Sequence, residues 1–233
     1  SHYTCVDEVI EVFKEFVAGL PEHGALVIWD TPLLREIAKS TSARVVTYGI
    51  DEGADYRAAR LESNREGSSY DLFWGDAGAA GQEVSGDCRV SLRVRGVHNV
   101  LNSLAAVAVL DLIGVEPPVA AEALAGFSGV GRRFQVKGEA GGITIVDDYA
   151  HHPTEIAATL EAARSGGWIR VIGAFQPHLY SRTRYLHDEF GQALNNCDLA
   201  IVTDIFGARE EPEPGISGKL VVDSALKWSP SAN

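Results

Sequence analysis

Ile143-Thr144-Ile145-Val146-Asp147-Asp148-Tyr149-Ala150-His151-His152-Pro153 joins an apolar, β-branched run to a polar tail. The run reads as a buried strand. Its tail then falls at the carboxyl end of a sheet strand, where open α/β folds bind their ligands. Pro153 opens a helical pattern from Thr154 to Arg164, and proline suits a first helical turn. Asp, Tyr and His beside a helix N-terminus point to an anionic or phosphorylated ligand.

The same grammar recurs downstream. A second apolar run, Ile169 to Phe175, ends in Gln176-Pro177-His178-Leu179-Tyr180-Ser181-Arg182-Thr183-Arg184. A helix is expected over Tyr185 to Asn195, then a strand over Leu199 to Ile205. An acidic, Pro-rich loop (Gly207 to Gly218) and a helix from Lys219 to Lys227 follow. This βαβαβ order implies a parallel sheet, so the two polar tails converge on one crevice.

Upstream the spacing predicts a helix over Val6 to Leu20, a strand over Ala25 to Trp29, a short helix over Pro32 to Ser40 and a strand over Arg44 to Tyr48. Residues 51–87 are rich in Gly, Ser, Asp and Glu and read as antiparallel strands and loops, ending in a strand from Cys88 to Arg95. The helix Asn99 to Ile113 is so rich in Ala and Leu that burial on most sides is expected. A short helix, Val119 to Ala125, precedes a hinge at Phe127 to Phe134.

The 233 residues carry a formal net charge of −12, which argues against a nucleic-acid backbone or an anionic membrane as partner. The three cysteines form no CxxC pair, as in a reducing cytoplasm. The longest apolar stretch, Leu104 to Val115, is broken by Asp111 and too short to span a bilayer, so no membrane insertion is expected. With no methionine, the chain reads as a piece of a longer protein.

Three further features carry chemistry. In Gly96-Val97-His98-Asn99-Val100-Leu101-Asn102 the two asparagines share a helical face, and an amide offers the donor and acceptor an adenine edge needs. The plainer reading makes Asn99 a helix cap and Asn102 a buried amide. Arg132-Arg133 can clamp phosphate or form surface salt bridges. Asp148 and His151 can orient a ligand, or a histidine can cap the helix that Pro153 opens. Asp147, Asp148, His151 and His152 also keep a metal-dependent hydrolase in view. No GxxxxGK[ST] phosphate loop is present.

GVHNVLN, GVGRRF, VDDYAHHPTE and FQPHLYSRTR, in this order and spacing, resemble the Mur ligase family from about Val6 to Val222. The resemblance implies an α/β chain. Residues 1–131 would be the C-terminal part of a central ATPase-type domain with a mixed sheet. Residues 132–233 would be an incomplete Rossmann-like, parallel-sheet ligase domain. It further implies a cytoplasmic, ATP-dependent ligase that joins the carboxylate of UDP-N-acetylmuramate to L-alanine through an acyl phosphate, in peptidoglycan precursor synthesis. Asn99 and Asn102 would hold the adenine, with His98 also in the ATP site; Arg133 would reach the phosphates, and Asp148 would help fix the nucleotide and the closed state. Tyr149, His151, His178 and Arg182 would face the acyl phosphate and amino acid. Arg133, Asp148 and His151 are the catalytic candidates. Mg²⁺ is implied as well, with its ligands mostly outside this chain, and without a phosphate loop the chain alone is expected not to turn over ATP. Leu179 stands where many members carry arginine, and Gly207 to Pro212 replaces a shorter AGE-type loop. Ser1-His2-Tyr3 matches the family's metal-site histidine too poorly to assign. The open sheet edge favours self-association. A murein-tripeptide or folylpolyglutamate-type ligase of the same fold, and a non-catalytic nucleotide-binding fragment, are the alternatives.

Overall fold

The computed structural model describes residues 3, 5–76 and 83–228; His2 lies outside them. The chain divides into two compact units, one of residues 1–62, 67–94 and 98–127, the other of residues 63–66, 95–97 and 128–233.

The first unit is a five-stranded mixed sheet with helices. Its elements are α1 (Val6–Ala18), β1 (Ala25–Trp29), α2 (Pro32–Ala38), β2 (Arg44–Gly49), β3 (Tyr56–Ser63), β4 (Ser68–Asp76), β5 (Glu83–Leu92), α3 (Val97–Leu112) and α4 (Pro117–Leu124). The strand order is β1-β2-β3-β4-β5. β1 and β2 run parallel from Ala25↔Arg44 to Trp29↔Tyr48. β3 joins β2 in parallel at Tyr48↔Tyr56, which corrects the expectation of antiparallel strands throughout 51–87. Asp55 drives that outcome: it accepts from the Thr47 amide and hydroxyl at 2.7 and 2.8 Å, pinning the β3 entry beside β2. β4 and β5 form an antiparallel ribbon, in register from Ser68↔Leu92.

Tyr70, Leu72, Val90, Val100, Leu104 and Val107 are fully buried between this sheet and α3. Each contributes about 1.5–3 kcal/mol by leaving water. The buried Tyr70 hydroxyl pairs with Ser103 Oγ at 2.8 Å, so the core holds no stranded donor there. α3 buries one stripe, Val100, Ser103, Leu104, Val107 and Ala108, while Val97 and Val109 are exposed. The expected burial on most sides is thereby corrected: an Ala-rich helix reads as apolar all round because alanine tolerates either face.

The second unit contains β6 (Gln135–Ala140), β7 (Ile143–Asp147), α5 (Pro153–Ser165), β8 (Ile172–Phe175), α6 (Tyr180–Leu194), β9 (Leu199–Val202) and α7 (Gly218–Trp228). β8 and β9 are parallel, as the crossover helix requires. β7 instead pairs antiparallel with β6, a strand the periodicity missed, through the tight turn at Gly141-Gly142, both at positive φ. No ladder joins β7 to β8 among the described residues. A cavity of about 230 Å³ lies there instead, lined by Phe134, Val146, Ile156, Trp168, Ile172 and others. Among the described residues of this unit, parallel pairing joins β8 to β9 and continues in the bridge His178↔Phe206. Ile156, Leu160, Val171, Phe175, Phe190, Leu194 and Val221 form the core, with the Phe175 and Phe190 rings 5.1 Å apart. Asp198 ties the β8 approach to β9 by accepting from the Val171 amide at 2.7 Å; that bond holds its carboxyl below the usual range.

Candidate functional site

Three loops leave the carboxyl ends of β7, β8 and β9. The loop after β7 carries Asp148, Tyr149, His151 and His152 and runs straight into α5. His152 is the N-cap: its Nδ1 accepts from the Thr154 amide at 3.3 Å. Glu155 completes the turn, its Oε2 accepting from the amides of His151 and His152 at 2.9 and 3.1 Å. Burial pushes the Glu155 carboxyl up, but those two amides, with His151 and Arg133 beside it, outweigh burial and hold it below its ordinary value.

Asp148 is engaged locally. Its Oδ2 accepts from the Phe134 amide and its Oδ1 from the Ala150 amide, both at 2.7 Å. This carboxylate therefore staples the segment after Arg133 to the β7 end. The backbone there needs such a staple, because Arg132 and Phe134 both sit at positive φ. Tyr149 N–H also donates to Arg132 O at 2.7 Å.

The two arginines diverge. Arg132 stacks over the Tyr149 ring at 4.8 Å. Arg133 donates to Glu155 Oε1 at 3.3 Å with about half of its side chain exposed. The salt-bridge reading of Arg133 thus holds, and such a half-exposed pair is worth little.

Hydrogen bonding fixes the protons on the two central histidines. His151 Nδ1 lies 2.9 Å from Tyr149 O, and a carbonyl only accepts, so Nδ1 carries the proton and Nε2 is the acceptor of the neutral ring. His178 Nδ1 lies 3.3 Å from Arg182 Nη1, and a guanidinium only donates, so His178 carries its proton on Nε2. The rings form a ladder: Tyr149 to His151 at 5.5 Å, His151 to His178 at 6.5 Å, and His178 to Phe206 at 5.7 Å. Phe206, from the loop after β9, is the member that sequence reasoning missed. Its signal was there, an aromatic at a strand's carboxyl end, but the loop was read for its acids.

Arg133, Asp148, Tyr149, His151, His178 and Arg182 thus share one end of the second unit. His98, Asn99 and Asn102 belong to the first unit, at the start of α3. Gly96, at φ +90°, makes the turn into that helix. α3 begins at Val97, so Asn99 lies inside the first turn, and the reading of Asn99 as cap is corrected. Asn99 Nδ2 and His98 Nε2 are 3.1 Å apart. Asn102 is exposed, which corrects its reading as a buried amide and leaves it open to a ligand. As for the hydrolase reading, the four acidic and imidazole groups after β7 do not converge. Among the described residues no group of three or more His, Cys, Asp or Glu could hold a metal ion.

The Mur ligase middle domain matches residues 1–110, and the Mur ligase glutamate ligase domain matches residues 132–230. Among curated relatives, UDP-N-acetylmuramate–L-alanine ligase of Rubrobacter xylanophilus is 48% identical over 230 residues, covering 97% of this chain and 48% of the relative. That of an Arthrobacter species is 45% identical over 229 residues, covering 96% and 46%. The chain spans about half the length of the curated relatives it matches. Among solved structures, the UDP-N-acetylmuramate–alanine ligase of Thermotoga maritima superposes with a TM-score of 0.70 at 24% identity, covering 96% of this chain and 45% of that one. Folylpolyglutamate synthase of Mycobacterium tuberculosis reaches 0.68 at 18% identity, covering 99% and 50%. These two likenesses speak to fold alone. With two Mur ligase domains matched in order and relatives at this identity along nearly all of its length, the chain belongs to the Mur ligase family.

Proposed function

We propose that this chain is the nucleotide-closing half of an ATP-dependent ligase that joins the carboxylate of UDP-N-acetylmuramate to the amine of L-alanine. The observation that carries this reading is the identity to relatives bearing that name, at 48% over 97% of the chain. Residues 1–131 act as part of a central ATP-binding domain and residues 132–233 as the ligase domain. The change of contact partners near residues 127 and 128 supports a division in this region.

The chemistry runs in two displacements. The muramate carboxylate attacks the γ-phosphorus of ATP, giving an acyl phosphate and ADP. The alanine amine then attacks the acyl carbon, and phosphate leaves with the C–O electron pair. Such transfers are governed by positioning and by cations around the moving phosphoryl group. Arg133 supplies a fork of donors for the phosphates and exchanges Glu155 for them. His98, Asn99 and Asn102 serve the adenine edge. Arg182 stabilises charge on the acyl phosphate. His151, with Nε2 as acceptor, takes the proton that the alanine ammonium must lose before its amine attacks. Tyr149 and His178 wall the acceptor side. Asp148 acts through the backbone it staples. Mg²⁺, when bound, would neutralise phosphate charge; no ligand for it is assigned to this chain, and no step above depends on one. The reaction belongs to the cytoplasm, where ATP and the nucleotide sugar are found.

The test follows ADP release by the protein of the complete gene with UDP-N-acetylmuramate and L-alanine, glycine, L-serine or murein tripeptide. Release dependent on L-alanine is expected. Release only with the tripeptide would assign the chain to a recycling ligase, and no release with any acceptor, despite ATP binding, would leave a nucleotide-binding role. The 233-residue chain alone is expected to show no ATP turnover.

A further inference from the structure

The start of α6 is shaped from outside its own sequence. Leu179, its N-cap, has φ +73° and offers no side-chain cap. That conformation is costly for a branched residue. It is held from both sides. Leu179 N–H donates to Phe206 O at 3.0 Å, and Phe206 N–H donates to Pro177 O at 2.8 Å. On the helix side, Thr183 bonds Leu179 O through its amide at 3.1 Å and through its hydroxyl at 2.9 Å.

The loop after β9 then meets the exposed helix end. Ser181 N–H donates to Glu210 Oε2 at 2.9 Å, and Ser181 Oγ donates to Glu210 Oε1. Arg184 Nη1 donates to Glu213 Oε1 at 2.7 Å. Gly207 lies so near this turn that a Cβ would come within 2.9 Å of both the Tyr180 ring and Glu210 O. The loop therefore fits the turn closely and anchors it through two carboxylates. His178 and Arg182 flank the gripped Ser181, and their mutual bond requires the turn to keep its shape.

We propose that Glu210 is the positioning residue for the His178–Arg182 pair. Its carboxylate completes the α6 N-terminus, fixing where Arg182 reaches and keeping the His178 proton on Nε2. The inference rests on the ligase reading, in which this pair faces the acyl phosphate and the amino acid. The negative charge also suits a helix N-terminus. The Ser181 hydroxyl and amide hold the Glu210 carboxyl below its ordinary range, so it remains ionised while gripping.

The experiment compares Glu210→Ala with Glu210→Gln. In the complete ligase, Glu210→Ala is expected to lower kcat/KM for the amino-acid acceptor by about 10- to 100-fold while the KM for ATP changes less than about twofold. Glu210→Gln is expected to restore most of the loss, because its Oε1 still accepts from the Ser181 amide and the Ser181 hydroxyl can turn to accept from its Nε2. In the 233-residue chain, the ¹⁵N signature of the His178 ring is expected to lose its Nε2–H tautomer in Glu210→Ala and keep it in Glu210→Gln. Equal damage from both variants would show that the charge acts on the reactants directly and would overturn the proposal, as would unchanged kinetics and an unchanged ring in Glu210→Ala. If Glu210→Ala does not fold, Ser181→Ala carries the test. It removes only the hydroxyl bond and is expected to shift the same ring signal partway; no shift overturns the proposal. The ring readout needs no turnover, so a failure of the ligase reading stays distinct from a failure of this one.

Discussion

The two helices that open the candidate site begin in opposite ways. α5 is closed by its own sequence: His152 and Glu155, within four residues, satisfy the amides at 151, 152 and 154. α6 is closed by Glu210, 29 residues after the Ser181 it binds. A local cap forms whenever its tetrapeptide turns helical. A distant cap exists only once β8, β9 and their loops have packed. The first builds a rigid platform, and the second makes the placement of Arg182 depend on the fold of the whole unit.

The largest effect should fall on Asp148, which shows that even the β7 side needs one distant tie, to Phe134. Asp148→Ala leaves two amides without their carboxylate. A loss of about 2–4 kcal/mol in the second unit is expected, since bonds to a charged acceptor are worth about 1.5–3 kcal/mol each. Urea unfolding with hydrogen exchange at Phe134 and Ala150 measures it. Asp148→Asn should recover only part, because one amide would face its NH₂. A cost below about 1 kcal/mol would mean that the staple does not hold the turn.

Glu155 comes next. Glu155→Gln is expected to cost about 1–2 kcal/mol, as loss of a cap does. The sign with pH follows from its depressed carboxyl. A folded pKa below the unfolded one gives stability that is fully present above the unfolded value, near 4.3. That stability is lost as pH falls through the folded value. Unfolding curves across the acid range should therefore show wild type losing its advantage over Glu155→Gln as pH drops. A gap that widens instead would contradict the assignment.

This contrast also sets how far the sequence could be read. The strands Ile143 to Asp147 and Ala25 to Trp29 and the proline-led start of α5 are local in their causes and were legible as elements, but β7 is not the buried strand expected, since Ile143 and Ile145 are exposed. That the polar tails after β7 and β8 come together, His151 and His178 with ring centroids 6.5 Å apart, was legible because strand ends have a fixed geometry. What failed was non-local. The α6 start was expected at Tyr185 because apolar spacing resumes only at Leu186, where the helix kinks. Its true first turn, from Tyr180, is polar and stands because Glu210 and Glu213 reach it. β6 alternates too weakly to announce itself and exists by pairing with β7. The backbone partners of Asp148 could not be read either, because nothing in the sequence marks the Phe134 amide as its partner.

Two smaller effects measure the contrast directly. Glu210→Ala should cost about 0.5–1 kcal/mol in stability, the low end for loss of a helix cap, even though its kinetic effect is large. A full unfolding of the unit in this variant would make Glu210 part of the architecture instead of the site. His152→Ala should cost least, roughly 0.3 kcal/mol, because the exposed ring accepts a single bond at 3.3 Å while Glu155 carries two shorter ones. Hydrogen exchange at Thr154 should quicken with little change at Leu160. If His152→Ala instead destabilises α5 more than Glu155→Gln does, the cap lies in the imidazole. The β7 loop would then be as sensitive to ring protonation as the β8 loop is to its distant carboxylate, and the two starts would differ in reach alone.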